Sequence, residues 1–140
     1  MKKYLLLLTL FVGTVLFAQE KETVYMVFEY NQPGNCNYTS SKSEKKIPLS
    51  YTQKRHRKVG TTRFIICKNT FMFDFKKDNF EVVDGAETAK YKIVDIDYLL
   101  NKLAENENKT INDLFQLYII EKYQDNSYAK YQVLWEKALY

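Results

Sequence analysis

Histidine is the side chain most often used to move protons near neutral pH, and the chain carries one, His56. It stands inside Lys54-Arg55-His56-Arg57-Lys58. A catalytic triad needs a nucleophile, a base and an orienting acid, and histidine-centred metal sites need several ligands. Cationic neighbours also disfavour protonation of an imidazole. His56 therefore reads as a solvated surface residue. No H-E-x-x-H or G-x-S-x-G pattern occurs, and with 4 glycines the chain offers no phosphate-cradling glycine loop. Asp74, Asp78, Asp95 and Asp97 do not have the spacing of a calcium loop, and Asp95 is better placed as a helix cap. No pair of carboxylates stands out as the acid and base of a glycosidase. These residues indicate no catalytic residue, no cofactor and no metal, and they favour a non-enzymatic role over an enzyme of unfamiliar type.

The sharpest binding candidate is the cationic run, with Lys54, Arg55, Arg57 and Lys58 as anion-binding residues. Adjacent cations raise a local positive potential, and arginine grips phosphate or sulfate through two parallel hydrogen bonds. Lys42 to Arg63 holds eight Lys/Arg against one Glu, while the segments on either side are mildly acidic. An anionic glycan or lipid headgroup is the partner such a run would take; a solvated loop is the plainer reading. A nucleic-acid face would interleave stacking aromatics with the cations. Only Tyr51 and Phe64 flank this run, so the nucleic-acid signal is weak. The other reactive pair is Cys36 and Cys67. An even count in an exported domain favours a disulfide, and nothing resembles the C-x-x-C of a thiol oxidoreductase.

Export is expected from the first residues. Lys2 and Lys3 precede the apolar stretch Tyr4–Phe17, and Ala18-Gln19 is a plausible cleavage junction, the three-part pattern of a secretory signal peptide over residues 1–19. The apolar stretch is shorter than the roughly 20 residues a membrane-spanning helix needs. The leader resembles those of exported proteins of Gram-negative bacteria, a likeness confined to these residues, which implies a periplasmic or extracellular address. Cleavage leaves residues 20–140, no second membrane-length apolar run, and a formal charge that falls from +4 to +2 as Lys2 and Lys3 depart. That length suits one small domain.

Any such site needs a frame. The densest apolar run after the leader is Arg63–Phe75, which reads as two strands around a Lys68-Asn69 turn. In that register Phe64 faces Phe73, Ile66 faces Phe71, all four share one side, and Arg63 opposes Asp74. Thr23–Tyr30 is a strand apolar on both faces, which puts it interior to a sheet or under cover on both sides. Asn31–Asn35 is a loop, and Asn37–Lys46 is polar and without periodicity, the mark of a mobile segment. Ile47–Thr52 alternates around Pro48 as an edge strand, and Gln53–Lys58 leads on as a loop. Lys76–Asn79 is a turn before the short strand Phe80–Val83. Asp84–Lys90 is a candidate linker, and Tyr91–Val94 returns as another short strand.

Ile96, Leu99, Leu100 and Leu103 form one helical stripe behind Asp95, predicting a helix over Asp95–Glu105. Thr110 and Asp113 resemble a capping box, so a helical turn should precede a strand ending at Tyr123. A tight Asp125-Asn126 turn then puts Glu121 opposite Lys130, Ile120 opposite Tyr131 and Tyr118 opposite Val133. A helix through Tyr123 is the alternative. Most of the twelve tyrosines fall on alternate strand positions, where packing accounts for them. The expected class is α+β, a mainly antiparallel sheet of about six or seven strands with one or two helices packed on it. The expected role is a non-enzymatic exported domain that binds an envelope protein or has a structural role at the envelope, with a polyanion-binding module using residues 54–58 as the alternative.

Overall fold

Alternation in the hairpin sets the frame. The structure, a computed structural model, describes residues 20–30, 36–41 and 60–136. Within these, β3 (Thr61–Ile66) and β4 (Asn69–Asp74) bury Phe64, Ile66, Phe71 and Phe73 on one side, as the spacing predicts. The turn falls one residue earlier than expected, on Cys67 and Lys68, both left-handed at φ 49° and 66°. Two left-handed central residues make the turn whose twist matches a hairpin. Asn69 is spared for the strand, and its side-chain amide donates to the Cys67 carbonyl at 3.0 Å. The register therefore shifts by two: Phe64 pairs with Phe71 and Arg63 with Met72. A shift of two preserves the faces but breaks the Arg63–Asp74 pairing. The Arg63 guanidinium instead meets Glu136 at 3.0 Å.

The remaining strands are β1 (Glu22–Phe28), β2 (Tyr38–Ser40), β5 (Phe80–Val83), β6 (Phe115–Lys122) and β7 (Tyr128–Glu136). They form one sheet in the order β1-β6-β7-β4-β3-β2, with β5 also on β7. All pairs are antiparallel except β1 with β6. The sheet curls until the Phe28 ring, at the end of β1, meets Tyr38 of β2 and Phe64 of β3 at 6.1 and 5.3 Å. The fold is α+β and sheet-dominated, with three short helices among the described residues: α1 (Gly85–Thr88), α2 (Ile96–Ala104) and α3 (Ile111–Leu114).

The best helix signal gives α2, capped at Asp95, whose carboxylate accepts from the Tyr98 N–H at 2.8 Å. Ile96 and Leu99 face the core, while Leu100 is exposed. Thr110 and Asp113 make a full capping box on α3, and the chain turns straight into β6 at Phe115. This helical turn followed by a strand is the predicted order.

Three expectations are corrected and one is narrowed. Of the two places expected for β1 it takes the covered one, not the interior; it ends the strand order, with a single Tyr25–Ile93 bridge on its far side among the described residues. Its outward Tyr25 is covered instead by the stacked ring of Tyr91 at 4.0 Å. Tyr91–Val94 accordingly supplies that bridge and no strand. Asp84–Lys90 is no linker, since Asp84 caps α1 through the Glu87 N–H at 2.8 Å. Within Asn37–Lys46, Tyr38–Ser40 is ordered as β2 by pairing with β3. Residues 1–19, Asn31–Asn35, Ile47–Thr52 and Gln53–Lys58 lie outside the described residues.

The largest correction is at β6–β7. Asn126 is left-handed at φ 61°, and Tyr123 N–H donates to Ser127 O at 3.0 Å, closing a loop of Gln124, Asp125 and Asn126. A tight turn followed by one left-handed residue is the common hairpin loop one residue longer than the tightest. The extra residue moves the register by one, so Glu121 opposes Ala129, and Tyr118 opposes Gln132. A one-residue slip exchanges the faces of one strand. Glu121 thus enters the core with Leu117 and Ile119, while Tyr118 and Val133 point to opposite sides.

Candidate functional site

A carboxylate in the core needs partners, because an unpaired buried charge is costly. Glu121 is fully buried and has three phenols around it. Tyr131 and Tyr123 donate to its Oε2 at 2.8 and 3.0 Å, and Tyr30, from the chain just after β1, donates to Oε1. Burial pushes the Glu121 carboxyl up to about 7, against the downward pull of the Tyr131 and Tyr123 hydroxyls. Burial, then the Glu121 charge, pushes Tyr131 well above the usual phenol range. The phenols offset part of the cost of a carboxylate there, and the group can hold or release one proton near neutrality. Glu121, Tyr123 and Tyr131 each have 0% exposure, so no substrate reaches them in this conformation.

An open feature lies where the described strands of the curled sheet leave a gap. A groove of about 270 Å³ runs between β1 on one side and Tyr38 and Ile66 on the other, floored by the approach to α2. Its walls are apolar apart from the Tyr38 phenol and the carboxyl groups of Glu29 and Asp95. Burial first, then the Glu29 and Asp95 charges, raises the Tyr38 pKa, which places both carboxylates within electrostatic reach of that phenol. Beside them Ile93 is 48% exposed. No lysine or arginine is among the described residues that line the groove. Its chemistry suits an apolar ligand with positive charge.

On the outer face of the sheet, Tyr25 stacks on Tyr91 and Tyr118 at 4.0 and 5.2 Å. The Lys130 ammonium lies over the Tyr91 and Tyr118 rings and pairs with Glu81. Burial, then the Glu87 hydrogen bond, pushes the Tyr91 phenol up to about 12, with Lys130 opposing. Tyr91 and Lys130 find polar partners within the cluster, in Glu87 and Glu81, and the stacked rings cover this face of the sheet.

The sequence candidates fare unevenly. Lys54, Arg55, His56, Arg57 and Lys58 lie outside the described residues. Cys36 and Cys67 are bonded, with their Cα atoms 4.6 Å apart, and tie the start of β2 to the β3–β4 turn. Asp74 and Asp78 serve their own turn: the Asp74 N–H donates to Asp78 Oδ2 at 2.8 Å. No group of three or more metal-ligating side chains gathers among the described residues. No helix among them is long and apolar enough to cross a membrane. Sequence reasoning missed Glu121 and its phenols, although Leu117, Ile119, Glu121 and Tyr123 share one parity along the strand. It also missed the groove, whose acids are 66 residues apart in the chain, from Glu29 to Asp95. Compared with family models, with curated proteins and with solved structures, the chain matches none.

Proposed function

We propose that the protein is a small exported binding domain, without catalysis of its own, that seats an apolar, positively charged segment of an envelope protein in the groove beside β1. The observation that carries this reading is the groove: apolar walls open to solvent, with the Glu29 and Asp95 carboxylates and no described cation among the lining residues. Apolar walls supply the burial that drives association, and the two acids select for charge. The one strongly shifted carboxyl among the described residues, Glu121, is sealed from solvent, which favours binding over catalysis. Export is supported by the Lys2-Lys3 leader pattern and by a disulfide suited to an oxidising compartment.

Two measurements test it. Expression of the full chain in a Gram-negative host should yield a periplasmic product that lacks residues 1–19 and has both cysteines oxidised. Full-length protein in the cytosol overturns the export half. A short fluorescein-labelled peptide alternating lysine with valine should bind by fluorescence anisotropy, and Glu29→Lys should weaken it about tenfold. Binding indifferent to Glu29→Lys overturns the groove half.

A further inference from the structure

We infer that the partner binds as an added β-strand, pairing its main chain with the outer edge of β1 at Val27. This rests on the groove reading above and says how the groove holds its ligand. In β1, alternate residues turn their main-chain groups to opposite sides. The Tyr25 N–H donates to Lys92 O at 3.0 Å, and its carbonyl accepts from Val94 N–H at 2.8 Å, so Tyr25 faces away from β6. Val27, two residues on, faces the same way, beyond the end of the Lys92–Val94 segment. Among the described residues, no turn or loop hydrogen bond reaches the Val27 main chain. The same logic applies across the gap. Cys67 N–H donates to Asn37 O and Ser41 N–H to Arg63 O, which turns the main chain of residues 37 and 41 toward β3. That of Tyr38 then points outward.

Two strand edges therefore front one groove, and both Val27 and Tyr38 line it. An exposed edge with paired donors and acceptors is a template for another strand. A segment laid there would satisfy the Val27 N–H and C=O, set alternate side chains against Met26, Ile66 and Ile96, and bring its cations to Glu29 and Asp95. The charge of the groove selects an extended, lysine- or arginine-bearing apolar segment. An acidic one would meet two like charges.

The test uses the lysine–valine peptide and a version N-methylated at alternate backbone nitrogens, which keeps the side chains and blocks main-chain pairing. The methylated peptide should bind about tenfold more weakly, as the loss of one or two hydrogen bonds implies. Val27→Pro, a substitution that edge positions accept, should weaken the parent peptide similarly and leave the methylated one unchanged. In the native protein, hydrogen exchange at the Val27 amide should slow when the parent peptide binds. This readout needs no variant to fold. Equal binding of both peptides, with the Val27 amide unprotected, overturns strand addition and leaves the groove reading standing. Absence of binding by either peptide, or binding unaffected by Glu29→Lys, overturns both.

Discussion

Tyr131 donates its phenolic hydrogen to Oε2 of Glu121 at 2.8 Å, from one strand to its neighbour. The two are diagonal across the β6–β7 pair, because Glu121 lies directly opposite Ala129. Tyr123, just past the end of β6, reaches the same oxygen at 3.0 Å. The slip of one residue in this hairpin thus turns an expected surface ion pair into a sealed carboxyl cluster. Its consequences are measurable.

Stability should respond to Glu121 in the direction opposite to most acids. Its folded pKa is raised from 4.5 to about 7, so its contribution is full below about 4.5 and is lost as pH rises through 7. Such a shift corresponds to at most about 3 kcal/mol. Glu22, Asp113 and Asp125 have lowered pKa values, from hydrogen bonds to Lys92, Thr110 and Ser127 respectively. Their contributions are lost only as pH falls further, below their unfolded values. Urea midpoints should therefore drop between pH 5 and pH 8, and Glu121→Gln should flatten that drop. An equal drop in the variant would remove Glu121 from the explanation.

Reduction should weaken the fold. The Cys36–Cys67 bond closes 31 positions of chain, and in the chain-entropy model such a closure is worth about 3–4 kcal/mol. The double variant Cys36→Ser/Cys67→Ser should lose that much by chemical denaturation. Wild-type protein should lose it only in reductant. A variant as stable as the oxidised protein would mean the bridge constrains nothing.

The β3–β4 turn gives opposite effects at adjacent residues. Lys68 is left-handed at φ 66° with no glycine to relieve it. Lys68→Gly should stabilise by about 0.5–1 kcal/mol. Asn69→Gly removes the bond to the Cys67 carbonyl and puts glycine in a strand, and should destabilise by about 1 kcal/mol or more. If the signs come out reversed, the turn lies one residue later.

Asn112 acts as a substitute strand. Its amide donates to Trp135 O and its carbonyl accepts from Trp135 N–H, both at 2.9 Å. Asn112→Ala should cost about 1–2 kcal/mol through two unsatisfied main-chain groups. Asn112→Asp keeps the acceptor and sets a charge against a carbonyl, so it too should lose stability. Changes within about 0.5 kcal/mol for both would place the amide outside the fold's energetics.

Local pattern was enough for much of this molecule. Period-two alternation in Arg63–Phe75 marked Phe64, Ile66, Phe71 and Phe73 as one buried side, and the stripe from Ile96 marked α2 with its Asp95 cap. Thr110 and Asp113 marked a helical turn leading into a strand. The even cysteine count anticipated the Cys36–Cys67 bridge. These features depend on neighbours within a few residues or on composition, and the chain carries them in plain order.

Register parity and the sites were decided only in three dimensions. The number of residues in the Gln124–Asn126 loop is a backbone choice at Asn126, and it alone sends Glu121 inward rather than outward. That choice is tolerable because Tyr30 arrives from 91 residues away to complete the carboxyl's partners. The groove likewise exists because the sheet curls until the end of β1 stands opposite β2. Periodicity reports which side chains share a strand face; it carries no information about which distant residues come to cover that face, or where the curl leaves an edge uncovered.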